Sequence, residues 1–116
     1  MEDLVYTKRV ILREMTQDAF VALANPTRRH IVVLLREQPR SVGEIVAGVK
    51  ALQPDVSRHL RVLHDAGFVA VEADGQRRIY SLRVQPFQQL DAWLGDYRGM
   101  WEERLDRLAE LVEPGE

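Results

Sequence analysis

The chain has 116 residues, 46% hydrophobic and 29% charged, with a formal net charge of −2 and no cysteine. That length suits one domain with one modest core, and the lack of cysteine excludes disulfides, thiolate metal sites and cysteine nucleophiles. No apolar run approaches the roughly 18 residues of a membrane span, and Glu2 and Asp3 precede a mixed segment without a signal-peptide pattern, so a cytoplasmic protein is the default expectation.

The charge is segregated along the chain. Residues 1–24 carry three Lys/Arg and four Asp/Glu, residues 25–83 carry ten and six, and residues 84–116 carry three and eight. The segments therefore hold −1, +4 and −5, which gives a basic middle suited to phosphates and an acidic end suited to facing away from them.

In chain order, residues 1–14 read as an N-terminal extension of open structure. Leu4, Ile11 and Leu12 could join Met15 on a helical stripe, whereas Val5-Tyr6-Thr7 favours extended chain. The folded domain is expected over 15–116. Thr16 precedes Ala19, Phe20 and Leu23 at helical spacing, and Asn25-Pro26 interrupts that pattern and caps a second helix whose apolar face is Ile31, Leu34 and Leu35. Ser41 caps a third, with Glu44 at the capping-box offset and Ile45 and Val49 as its apolar face.

Gln53-Pro54 begins a fourth helix that Gly67 ends, and Val56, Leu60 and Leu63 form its core-facing stripe. Residues 68–72 and 78–82 read as two strands around an Asp74-Gly75 turn. After Pro86, Phe87, Leu94, Trp101 and Leu108 recur every seven residues in a long last helix, joined by Leu90, Tyr97, Leu105 and Val112. The expected fold is mainly α with a small β-hairpin wing: a winged helix-turn-helix in the order α-α-α-α-β-β-α.

In such a fold the second helix of the pair enters the major groove. The wheel leaves Pro54, Arg58, Arg61 and Asp65 pointing away from the core. Arginine bridges guanine O6 and N7, glutamine pairs with adenine, and serine suits base or phosphate, so Gln53, Ser57, Arg58 and Arg61 are the candidates. Asp55 either accepts from cytosine N4 or serves the helix dipole, with the second favoured. Arg77 and Arg78 at the wing have no structural reason to be there, which favours a minor-groove or phosphate contact.

The run Val56-Ser57-Arg58-His59-Leu60-Arg61-Val62-Leu63-His64-Asp65-Ala66-Gly67-Phe68-Val69 resembles the recognition-helix signature of the ArsR/SmtB-type repressors. Leu23-Ala24-Asn25-Pro26-Thr27-Arg28-Arg29-His30-Ile31 resembles the opening of that family's second helix, and Gly75-Gln76-Arg77-Arg78-Ile79-Tyr80-Ser81-Leu82 its wing. The resemblance spans roughly residues 16–113. It implies a homodimer that binds a pseudo-palindromic operator in double-stranded DNA, with Gln53, Ser57 and Arg58 at the contacting positions. Leu52 departs from the pattern, standing where the family commonly has a serine.

The family's metal sensors use cysteines in the third helix or Asp/His ligands in the last. Here the matching third-helix stretch is Ser41-Val42-Gly43-Glu44-Ile45-Val46, and the last helix has acids but no histidine. No metal site and no cofactor are therefore expected. The aromatic-rich last helix resembles instead a metal-independent branch that includes autorepressors.

Further candidates for DNA are Ser41, Arg28 and His59. Arg28 is divided evenly between backbone phosphate and solvent, and His59 leans toward packing with a phosphate contact left open. Phe20, Phe87, Leu90, Trp93, Leu94, Tyr97, Trp101, Leu105 and Leu108 are the candidate dimer interface, favoured over an effector pocket lined by Trp93, Tyr97, Met100 and Trp101. No phosphate loop, nucleophile-base pair or ligand cluster supports an enzyme. Two alternatives stay open: a regulator responding to a non-metal small molecule, and a winged-helix module that binds protein instead of DNA.

Overall fold

The structure, a computed structural model, describes residues 17–112. The expectations for residues 1–14 and for the Thr16 cap lie outside the described residues. Residues 17–23 are helical and form α1. Helix α2 (Pro26–Glu37) follows directly, with the Asn25 side chain accepting from the Arg28 backbone N–H and proline in the first turn. The N–H that proline lacks is one of the four a helix leaves unpaired, so proline costs nothing there.

The next helix, α3 (Val42–Val49), starts on a complete capping box in which the Ser41 hydroxyl accepts from the Glu44 N–H and the Glu44 carboxylate accepts from the Ser41 N–H. Lys50 ends it in the left-handed region at φ 54°, and Ala51 and Leu52 complete the tight turn into α4 (Gln53–Asp65). Helices α3 and α2 approach closely at Gly48, where a Cβ would come within 2.6 Å of Leu34 Cδ1 and require that side chain to move.

Gly67, at φ 82°, stops α4. Its N–H reaches the His64 carbonyl and the Phe68 N–H reaches the Leu63 carbonyl, with both Leu63 and Phe68 buried beneath the turn. This paired closure satisfies carbonyls the helix leaves open, and it needs a left-handed residue. Strands β2 (Val69–Asp74) and β3 (Arg77–Leu82) then pair antiparallel, with Asp74 opposite Arg77. The loop is thus Gly75-Gln76, with the positive φ on its glycine, a residue later than the Asp74-Gly75 turn expected from sequence.

A short strand, β1 (Arg40–Ser41), was not expected. It pairs antiparallel with β3, so the wing is a three-stranded sheet in the order β1-β3-β2. Helix α5 (Gln85–Val112) closes the chain. The order of helices and hairpin matches the sequence-based expectation.

Ile31, Leu35, Ile45, Val56, Leu60, Leu63, Phe68 and Val69 form the core with Ala19, Ala22 and Leu90. Each fully buried large side chain contributes about 1.5–3 kcal/mol. The start of α5 belongs to this core: Leu90 is buried in it, and Phe87 packs edge-on against Phe68 with ring centroids 5.1 Å apart. Those two residues, expected from the heptad pattern at a dimer interface, are thus occupied within the chain. Periodicity identifies the apolar seam of a helix but not which of its turns lie over the chain's own body.

Candidate nucleic-acid interface

Helix α4 is fixed from beneath by Val56, Leu60 and Leu63, all fully or almost fully buried. Its far side presents Arg58 and Arg61 and its flank Gln53 and Ser57, all exposed. Arg58 is the most open of the measured ion-pairing arginines, with 78% of its side chain accessible, and it pairs one turn back with Asp55. Such an exposed pair contributes little to stability, so exchanging Asp55 for a base edge or phosphate carries a small penalty. Arg61 has no partner among the described residues. The helix begins at Leu52 without any side-chain cap, which leaves its first N–H groups unpaired and favourable to negative charge.

The other arginines are partly committed. Arg77, first in β3, bonds through Nη2 to Glu44 Oε1 at 2.9 Å and so ties the wing to the first turn of α3. The same oxygen takes the Ser41 hydroxyl at 2.9 Å and the Ser41 N–H at 3.1 Å. These bonds to Ser41, with Arg77 and Arg40 nearby, hold the Glu44 carboxyl below the usual glutamate range. Arg78 is exposed and without a partner among the described residues.

Ser41 and Arg28, both candidates for DNA, have other tasks here. Ser41 is only 8% exposed and its hydroxyl is used in the cap. One short side chain cannot both close a buried capping box and reach a phosphate. Arg28 donates from Nε to the Ala22 carbonyl at 2.7 Å and from Nη2 to the Val21 carbonyl at 3.1 Å, while Nη1 lies 3.3 Å from His59 Nδ1. Arg29 takes the Leu23 carbonyl at 2.8 Å. The carbonyls left open at the end of α1 are therefore satisfied by two arginines from α2, cations placed at the negative end of a helix.

Burial, with the Arg28 and Arg58 guanidinium groups beside it, holds the His59 imidazole below its ordinary value against the opposing pull of Asp55. It is neutral at pH 7. Arginine has no acceptor, so His59 Nδ1 is the accepting nitrogen and the proton sits on Nε2.

Sequence reasoning missed Glu44 as the anchor of the wing. The capping box announces its bonds to Ser41, but its partner Arg77 lies 33 positions away and no local pattern signals that contact.

The model of the bacterial regulatory proteins of the arsR family matches residues 25–71. The chain is 36% identical over 95 residues to the HTH-type transcriptional regulator Rv2034 of Mycobacterium tuberculosis, covering 82% of this chain and 86% of that protein.

The chain belongs to the ArsR family.

It is similar also to the transcriptional repressor SdpR of Bacillus subtilis, at 31% identity over 77 residues, 66% of this chain and 86% of that one. Among solved structures, the ArsR family transcriptional regulator RHA00566 superposes with a TM-score of 0.70 at 30% identity, covering 78% of this chain and 93% of that one. The fold is shared with the homodimeric winged helix-turn-helix DNA-binding domain Mb0332 of Mycobacterium bovis. That match has a TM-score of 0.66 at 24% identity and covers 86% of this chain and 90% of that one. An ArsR-family protein is a DNA-binding transcriptional regulator, not an enzyme. No described helix is long and apolar enough to cross a membrane.

The metals sensed by some ArsR-family proteins need thiolate or imidazole donors. The sequence has no cysteine, and its three histidines all lie in the helix-turn-helix half. The described residues contain no group of three His, Asp or Glu side chains placed to hold an ion. Among the described residues, no thiolate or imidazole cluster is gathered that would fit a transition metal. A cleft of about 410 Å³ where α1, the end of α4 and the start of α5 meet is lined by Asp18, Asp65, Arg83, Gln85, Pro86 and Gln89. It mixes charged and amide side chains with apolar surface, and it lies apart from the Trp93-Tyr97-Trp101 stripe considered as a pocket from sequence.

Proposed function

We propose that this regulator is a repressor that acts as a homodimer and belongs to the metal-independent branch of its family, with its own promoter among its targets. Two copies pair through α1 and α5 and place two α4 helices in successive major grooves of a pseudo-palindromic site about 10 bp apart, or a multiple of that. Gln53, Ser57, Arg58 and Arg61 meet base edges and phosphates, while Arg77 and Arg78 grip the flanking backbone. Bound protein excludes polymerase.

The observation that carries the reading is the two-sidedness of α4: a buried Val56-Leu60-Leu63 face, exposed Arg58 and Arg61 on the far side, and exposed Gln53 and Ser57 on the flank. Pairing is supported by the distal part of α5, where Leu94, Trp101, Leu105 and Leu108 are all exposed. The name of SdpR as a repressor supports the direction of regulation.

Titration of the protein against genomic fragments at two salt concentrations tests the proposal. Sequence-selective binding that weakens as salt rises is expected, and binding without sequence preference or salt dependence overturns it. Arg58→Ala is expected to cost about 1–3 kcal/mol on the preferred site, and Arg77→Ala to weaken all sequences more evenly. Equal loss of specificity from both contradicts the division of roles.

A further inference from the structure

The Arg28 guanidinium joins three elements. Three of its five N–H groups are committed: two to the last carbonyls of α1, at Ala22 and Val21, and one to His59 on α4. Its own backbone N–H is held by the Asn25 cap, so the side chain is anchored at the root as well as the tip. Phe20, immediately before the accepting carbonyls, stacks edge-on against Trp93 of α5 at 5.1 Å. His59 sits between Arg58 and Leu60, that is, between an outward-facing arginine and a buried leucine of the same helix. The guanidinium thus sits directly between the end of α1 and the His59 ring of α4.

We infer that Arg28 and His59 form a joint that sets the angle of α4 against α1, and that both serve DNA binding as positioning residues instead of phosphate contacts. The inference rests on the reading of α4 as the helix that meets DNA. Guanidinium is the group this place requires. Its planar fork reaches two successive carbonyls and an imidazole at once, which a lysine ammonium on a flexible stem does not reproduce. The imidazole contributes as an acceptor, so its neutral form is the working one.

The test measures fluorescence anisotropy with the DNA duplex that the unmodified chain selects most tightly from a random-sequence library, over a series of salt concentrations. Arg28→Ala and His59→Ala are each expected to weaken binding roughly tenfold, and the double variant no further than either one, because both remove the same joint. Arg28→Lys is expected to weaken binding as well, and His59→Gln to retain it, since the amide oxygen offers an acceptor to the same guanidinium. The slope of log affinity against log salt stays at the wild-type value in all of them.

A slope reduced by about 0.9 in Arg28→Ala, with Arg28→Lys close to wild type, marks a phosphate contact and overturns the inference. Independent, multiplying effects of the two single variants overturn it too. His59 is partly exposed and makes none of the bonds to the α1 carbonyls, so His59→Ala against His59→Gln decides the matter even where Arg28→Ala unfolds. If Arg58→Ala also leaves affinity and sequence preference intact, the assignment of α4 to DNA fails and the joint loses its purpose. Loss in Arg58→Ala with none in Arg28→Ala or His59→Ala removes the joint alone.

The pH profile gives a second readout. The groups facing His59 are Arg28 from α2 and, on its own helix, Arg58 and Asp55. Protonating Nδ1 removes the acceptor and sets two cations together, so wild-type binding weakens relative to His59→Gln as pH falls below neutrality. Strengthening relative to His59→Gln identifies a direct phosphate contact from the imidazolium and contradicts the inference.

Discussion

The body of the molecule and the outer part of its last helix use the same kinds of residue to opposite ends. In the body, Ile31, Ile45, Leu60, Leu63 and Phe68 are fully or almost fully buried by their own chain. In α5, every residue of 91–112 is exposed, and Trp101, Leu105 and Leu108 are each more than half accessible. The helix has 28 residues, about 42 Å at 1.5 Å per residue, and its buried residues, Pro86 and Leu90, both lie at its start. Charge divides the same way, with a basic middle and an acidic last segment. A helix whose apolar seam lies open over most of its length is stabilised when another copy covers it. The body is covered by its own chain, and the proposed pairing would cover the outer part of α5.

Substitutions on the two sides of this contrast have different readouts. Phe68→Ala removes a fully buried ring from beneath the α4 closure and is expected to destabilise by about 3–5 kcal/mol in denaturant unfolding; a cost near zero would mean that the body is not held by this core. Trp101→Glu leaves the body folded but is expected to give monomers in sedimentation, with DNA affinity reduced on the order of a hundredfold or more as the second half-site is lost. A stable dimer in that variant places the interface elsewhere.

Ser41→Ala, which opens the α3 capping box, is expected to cost about 1 kcal/mol, read as a lower unfolding temperature with dimerisation unchanged. The smallest effect is that of pH on Glu44. Its carboxyl is held low in the folded chain, mainly by Ser41, so the stabilisation is fully present above the ordinary glutamate range and disappears as pH falls through the depressed value. Wild type is expected to lose more stability than Glu44→Gln on acidification; identical acid profiles would show that the carboxylate gives no net support.

Much of the body could be read from local chemistry. Asn25-Pro26, the Ser41–Glu44 offset and Gly67 each impose a helix boundary through groups within a few residues, and the structure has all three boundaries there. What escaped was decided at long range. Strand β1 has two residues, too short to show alternation, and exists because Arg40 and Ser41 meet Tyr80 and Ile79 of β3. Arg28 looked like any arginine near a helix start, since its partners at Val21, Ala22 and His59 lie on two other elements. Ser41 was a candidate for both the cap and DNA, and the structure places its hydroxyl in the cap. In α5 the seven-residue repeat runs unbroken from Phe87 to Leu108, so sequence could not mark where contact with the chain's own core gives way to an uncovered face.

Pairing of two α4 helices on one duplex is tested most directly by changing the distance between half-sites in the selected duplex. Inserting about five base pairs turns the second half-site to the opposite side of the helix, since successive major grooves on one face are about 10 bp apart. The dimer is expected to lose tight binding with that insertion and to regain much of it when a full turn is inserted. Affinity that is unchanged by the half-turn insertion would contradict the paired, symmetric reading of DNA by α4.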